Sequence, residues 1–254
     1  EGYGAQVFLI REKEEPVTPS RPADFRSLAV HTLAELGITQ PPEGYAGLEG
    51  AAKMMTIQWQ SEKLFYRESE IRERAKKVND LLKPDVVLCL HLNAEPWGPA
   101  SQPQYSPANH FHVLVNGAYM PSELQVQDVR YEMLQRLFSR VREEELPLAE
   151  SVAKGMAEAT HLDPYVYTQG AVRRVGTTPY VYARNLLANR LYRCPVIYLE
   201  PYVMNNQETY NRLLMGNYVG RSMVNGRLRT SLIDDYAEGV AQGLVNYYRT
   251  KRRS

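Results

Sequence analysis

The sequence predicts an α/β fold, read as one domain over residues 1–254: a mixed, mostly parallel sheet flanked by helices, with a helical insertion at about residues 13–66. Three observations predict it. Short apolar runs, "VVLCLHL" at 86–92 and "PVIYLE" at 195–200, read as buried strands. Stretches with helical spacing precede each of them, "ESEIRERAKKVNDLL" at 68–82 and "RNLLANRL" at 184–191. A tight turn, "KPD", joins the first helix to its strand, and the order helix, turn, apolar strand is an α/β signature.

In chain order, "QVFLIR" at 6–11 reads as a short buried strand. Residues 12–25 are polar and proline-rich, which predicts a loop. "FRSLAVHTLAEL" and its closing glycine, 26–37, have helical spacing. "PPEG" breaks the chain at 41–44, and 47–66 is a weaker helical stretch. Residues 99–109 are rich in Ser, Pro, Gln and Asn and read as a surface loop. "HFHVLVN" at 110–116 is a strand, and 121–145 and 147–160 read as two helices. The strand "PVIYLE" ends at Glu200, "QETYNRLL" begins a short helix, and "SLIDDYAEGVAQGLVNYYRT" is a final amphipathic helix. The tail "KRRS" reads as a solvated end. There is no internal repeat.

Composition narrows the function classes. A net charge of +1 gives no general electrostatic case for nucleic acid. No apolar stretch approaches the ~20 residues of a membrane span. Cys89 and Cys194 each sit in an apolar run and read as small core residues, so neither a disulfide framework nor a compartment follows from them. The chain carries no G-x-S-x-G elbow, phosphate-binding glycine loop or C-x-x-C pair.

Two strands end in a side chain that can do chemistry, His91 and Glu200. In open α/β sheets, sites form at the carboxyl ends of parallel strands. A buried carboxylate without a partner is costly, so two such endings are informative if they share one edge. Imidazole is a common zinc ligand, and a nearby carboxylate can take a proton from metal-bound water. His110 and His112 alternate along a strand and so face one side, as a chelating pair or as solvated histidines at a strand end. His31 and His161 read as structural.

These residues resemble a family, the zinc-dependent N-acetylmuramoyl-L-alanine amidases of the Amidase_3 type. "VFLIRE" is similar to their strand V-x-L-T-R. "RERAKKVNDLLKPDVVLCLHLNA" is similar to R-x-x-x-x-N followed by A-D-x-x-x-S-I-H-x-N-A, which aligns Arg74, Asn79, Asp85, His91, Asn93 and Ala94. "CPVIYLEPYVMNNQETYNRLL" is similar to P-x-x-L-x-E-x-G-F-x-x-N, which aligns Pro195, Glu200 and Asn206. "YAEGVAQGLVNYY" resembles the family's last helix. Cys89 and Leu90 stand where the family has Ser and Ile, and Pro201 and Tyr202 where it has Thr and Gly.

The resemblance implies hydrolysis of the amide between N-acetylmuramic acid and the first L-alanine of the peptide stem in peptidoglycan. It implies a Zn2+ cofactor with His91 as one ligand, Glu200 as catalytic base, and Asn93 and Asn206 as substrate-binding residues. It implies a location in the cell envelope, periplasmic or extracellular. The family's other two ligands, a histidine in G-H-G-G and a glutamate on the following helix, have no counterpart here. Residue 1 is a glutamate, and the first residues read as a helix end, glycines and a strand, which predicts those ligands upstream. The long stretch between Arg11 and Arg74, with Trp59, Phe65 and Tyr66, reads either as a cap beside the cleft or as added packing helices. Two alternatives stay open: a non-catalytic binding or regulatory protein on the same scaffold, and a metal hydrolase using His110 and His112 with His91.

Overall fold

The computed structural model describes residues 2–99, 101–168 and 170–252. The helix end expected at Glu1, and Arg253 and Ser254 of the tail, lie outside the described residues. The chain divides into two compact units, Glu1–Pro84 and Asp85–Ser254.

The first unit is helical. The strand expected at residues 6–11 is corrected: this stretch is irregular, with Val7, Phe8 and Leu9 exposed. A strand is stabilised by a neighbour that takes its ladder hydrogen bonds and covers its apolar face, and an apolar run of this length carries neither with it. A tight turn at Pro22–Phe25 leads into α1, Arg26–Glu35. α2, Gly50–Met54, and α3, Ile57–Leu64, follow, and Thr56 caps α3 by accepting the Trp59 N–H. The helical path continues through a wide π turn at Phe65–Ser69, α4 at Glu70–Lys76, and a second wide turn at Lys77–Leu82. Lys83 stops it in the left-handed region (φ 46°), its N–H bonding the Val78 carbonyl at 2.8 Å, with Pro84 next. Ala29, Leu33 and Ile57 form the small core, flanked by Val30, Ile38 and Leu64.

Glu70 ties the irregular segment to this helix. Its carboxylate accepts from Val17 N at 3.1 Å and Thr18 N at 2.9 Å, and pairs with Arg74 at 2.7 Å. Burial pushes its pKa up, but the two backbone donors and Arg74 outweigh burial and hold it below the usual carboxylate range.

The second unit is α/β. Its elements in order are β1 (Val87–Leu90), β2 (His110–Val115), α5 (Gln127–Phe138), α6 (Arg142–Thr160), β3 (Asp163–Pro164), β4 (Arg173–Arg174), β5 (Val181–Ala183), α7 (Leu187–Arg190), β6 (Val196–Pro201), α8 (Gln207–Leu214), β7 (Ser222–Val224), β8 (Arg227–Arg229) and α9 (Leu232–Lys251). The main sheet runs β1-β6-β2-β5-β4, with β3 beside β2. β1 and β6 are parallel, as are β2 with β5 and with β3, whereas β2 with β6 and β4 with β5 are antiparallel. β7 and β8 form a separate hairpin.

Alternation sorts the two faces of the sheet. Phe111, Val113, Val115, Val181, Ala183, Ile197 and Leu199 point into one core with Leu148, Val152 and Met156 of α6 and Val240 of α9. α6 and α9 pack unusually close, because small residues face each other. The Ser151 hydroxyl donates to the Gly243 carbonyl at 2.8 Å, and a Cβ on Gly243 would sit 2.4 Å from the Val152 Cα. The opposite face carries Cys89, Tyr198 and Tyr182, and ends in the polar residues of the candidate site.

Candidate active site

Backbone register alone lines three side chains up across the sheet. His112 of β2 is the direct partner of Glu200 in the antiparallel ladder with β6. In the parallel ladder Leu90 pairs with Leu199, so His91, the next residue, lies beside Glu200 on the other side, its N–H bonding the Leu199 carbonyl at 3.1 Å. The side chains follow. His112 Nε2 is 2.7 Å from Glu200 Oε2, and His91 Nδ1 is 3.8 Å from Oε1. His112 is buried, Glu200 nearly so, and the His91 side chain is 53% exposed.

Burial pushes the Glu200 pKa up. The hydrogen bond and charge of His112, and the charges of His91 and Arg184, outweigh it and hold the carboxyl below the usual range. Glu200 is therefore an anion near neutral pH. The Tyr167 hydroxyl also sits 2.7 Å from His112 Nε2. Burial, and then the Glu200 charge, push that hydroxyl far above the ordinary tyrosine value, so it keeps its proton. Burial also raises Tyr198, beneath the His91 ring at 5.7 Å, to about 12.

His110 lies one pleat along from His112, with ring centroids 6.3 Å apart. Its Nε2 meets Glu95 Oε1 at 3.3 Å. Burial is the main influence on it and lowers its pKa despite Glu95. The Nδ1 atoms of both His110 and His112 are buried without a hydrogen-bond partner among the described residues.

The two asparagines expected to bind substrate, Asn93 and Asn206, hold backbone groups. Asn206 caps α8, its Oδ1 accepting from Glu208 N and Thr209 N, while its Nδ2 donates to the Ser106 carbonyl at 3.1 Å. Asn93 bonds through its backbone to Tyr202 and Met204, and its Oδ1 accepts from Ala94 N at 2.8 Å. His31 pairs with Glu35 on the exposed face of α1, and His161 is the left-handed residue closing α6. Burial raises the Cys194 thiol to about 11, in keeping with a packing role.

Imidazoles and a carboxylate are zinc donor types, but these do not make a zinc site by themselves. Among the described residues no three His, Cys, Asp or Glu side chains converge with metal-holding geometry. Their Nε2 atoms are engaged, that of His112 by Glu200 and Tyr167 and that of His110 by Glu95. The grouping of His91, His110 and His112 around one ion is corrected on the same ground. The arrangement instead holds one ionised carboxylate oxygen, Oε1, toward the half-exposed His91, with its partner oxygen fixed by a buried imidazole.

No family model matches the sequence, and no curated protein does. Solved structures similar to the chain include two amidases. The apo form of the N-acetylmuramyl-L-alanine amidase Ami1 from Mycobacterium abscessus shares 19% identity over 88% of this chain and 76% of its own, with a TM-score of 0.41. Ami1 from Mycobacterium smegmatis shares 14% over 90% and 76%, with a TM-score of 0.43. Likeness at this level does not carry the family to this chain. No helix among the described residues is long and apolar enough to cross a membrane.

Proposed function

We propose that this chain belongs to a cell-wall amidase that hydrolyses the amide between N-acetylmuramic acid and the L-alanine of the peptide stem. The four sequence stretches that resemble the family, in the family's order, support the substrate. One observation carries the chemistry: Glu200 lies at a sheet edge between two imidazoles, ionised, with one oxygen held by His112 and the other facing the exposed His91.

Glu200 Oε1 accepts a proton from water as the water oxygen attacks the carbonyl carbon of the scissile amide. The C–N bond then breaks and the same proton passes to the leaving nitrogen. His112 fixes the carboxylate so that the accepting oxygen faces the opening, and Tyr167 fixes His112. Zinc enters this proposal through the resemblance, with His91 as its ligand; when bound, it would polarise the scissile carbonyl and acidify the water.

The test is release of free L-alanine amino groups from purified peptidoglycan by the protein, with zinc content measured by elemental analysis before and after a His91→Ala change. Hydrolysis abolished by Glu200→Ala is the expected result. Release that survives the Glu200 change would refute the assigned base, and zinc content unmoved by the His91 change would refute that ligand. A binding protein on the same scaffold is the second reading, in keeping with the lack of three converging metal ligands among the described residues. Retention on peptidoglycan with no release of amino groups would establish it.

A further inference from the structure

The loop that leaves His91 carries Trp97 and Tyr105, and both rings meet Tyr210 of α8. Ring centroids lie 5.8 Å apart for Trp97–Tyr105, 6.4 Å for Trp97–Tyr210 and 5.6 Å for Tyr105–Tyr210. Trp97 and Tyr105 are each 44% exposed. Exposed aromatic rings gathered into one contiguous patch are the kind of surface that marks a contact site.

The loop is well tied. Asn205 is fully buried, and its side chain accepts from Glu95 N at 2.9 Å and donates to the Glu95 carbonyl at 2.7 Å. Its backbone carbonyl takes the Ser106 N–H at 2.8 Å. Gln104 N bonds the Trp97 carbonyl at 2.7 Å, closing the loop on itself between the two aromatic positions. The same loop reaches the candidate site, because Glu95 holds His110, which neighbours His112, which holds Glu200.

The chemistry of the loop selects its ligand. Residues 96–109, "PWGPASQPQYSPAN", contain no charged side chain, while Ser101, Gln102 and Gln104, between the two aromatic positions in the sequence, are exposed. Nucleic acid would require cations, and a protein partner would require roughly 1,200–2,000 Å² of buried surface around such rings. A neutral pyranose fits both features. Its C–H face stacks on an aromatic ring while its hydroxyl and acetamido groups reach amide side chains and water.

We propose that Trp97, Tyr105 and Tyr210 form a stacking platform for N-acetylated sugar rings of a glycan strand, beside the Glu200 site. It rests on the cell-wall reading of that site and adds the means by which the polymer is held. Chitohexaose, a neutral N-acetylglucosamine hexamer, is the probe. Trp97 and Trp59 are the tryptophans of the chain, so emission is compared between the unmodified protein and a Trp97→Phe variant.

A saturable emission change with chitohexaose that is lost in Trp97→Phe, and binding weakened tenfold or more in Tyr105→Ala by calorimetry, are the expected results. Circular dichroism confirms that each variant folds. Chitohexaose binding that is absent, or unmoved in both variants, would overturn the platform. Glu200→Ala is expected to bind chitohexaose as the unmodified protein does. Loss of the hydrolysis reading therefore leaves sugar binding intact, and failure of the platform shows as lost sugar binding whatever the amide chemistry.

Discussion

His112 and Glu200 face each other as direct partners across an antiparallel ladder, and Nε2 and Oε2 meet at 2.7 Å. The partnership is set by strand register, so it needs no loop to be placed correctly. A carboxylate fixed in this way keeps one oxygen oriented for proton transfer, and its behaviour can be tested directly.

Replacing Glu200 by Gln keeps the volume and removes the base. Turnover on peptidoglycan is expected to fall by about 10²–10⁴-fold, the usual contribution of a positioned general base. The thermal midpoint should move little, because the amide still reaches His112. A release assay run beside a melting curve separates lost chemistry from lost fold.

The pH dependence follows from the direction of the Glu200 shift. Its folded pKa is depressed, so the base stays ionised below the ordinary glutamate value of about 4.3. The acid limb of kcat/KM is expected below that value. By linkage, the group adds stability that is fully present above its unfolded pKa and is lost as pH falls through the folded one. An acid limb lying above pH 5 would contradict the assignment.

Tyr167→Phe removes the hydroxyl beside His112 Nε2 while keeping the ring against Tyr165 at 4.6 Å and Tyr182 at 5.1 Å. Loss of one such hydrogen bond is worth about 1 kcal/mol. The expected result is a drop of about fivefold in kcat with KM nearly unchanged, together with a shifted acid limb. A merely structural hydroxyl would leave the pH profile in place.

In the first unit, Glu70→Ala strips Val17 and Thr18 of their acceptor and leaves their N–H groups without it. A loss of about 1–3 kcal/mol is expected, read by denaturant unfolding of the whole protein. The unmodified protein should lose the same contribution as pH drops through the depressed Glu70 value, because the carboxylate must be ionised to hold both donors and Arg74.

Gly243→Ala places a methyl 2.4 Å from the Val152 Cα and 2.8 Å from the Ser151 carbonyl oxygen, both backbone atoms that cannot step aside. The second unit is expected to lose more than the roughly 1–3 kcal/mol typical of overpacking. A melting curve matching that of the unmodified protein would show that α6 and α9 part easily.

The long periodic elements and the two reactive strand ends were legible in the sequence. Short apolar runs located β1, β2 and β6, and helical spacing located α6, α8 and α9 to within a few residues. The part of the site contributed by His112 was harder to read. β2 runs antiparallel to β6, so its beginning, not its end, lies beside the carboxyl ends of β1 and β6. A rule that looks only at carboxyl ends passes over it. Tyr167 sits in an irregular stretch with no periodicity to point inward.

Other differences have local causes. The two helices expected at 121–145 and 147–160 divide elsewhere: α6 starts at Arg142 and carries Pro147 inside it. The break falls at Arg140 instead, a left-handed residue. The β7–β8 hairpin carried a recognisable signal in "VNGR", where Asn225 and Gly226 both have positive φ, the pattern of a two-residue primed turn. The run at 6–11 shows the opposite: apolar sequence without a pairing partner does not make a strand.

The close seam between α6 and α9 also bears on how the protein is made. It joins segments more than ninety residues apart, so during synthesis the earlier helix leaves the ribosome with its glycine-lined side uncovered and must wait for the later one. Until α9 emerges, the apolar side chains that α6 shares with it on that side of the sheet stay partly uncovered.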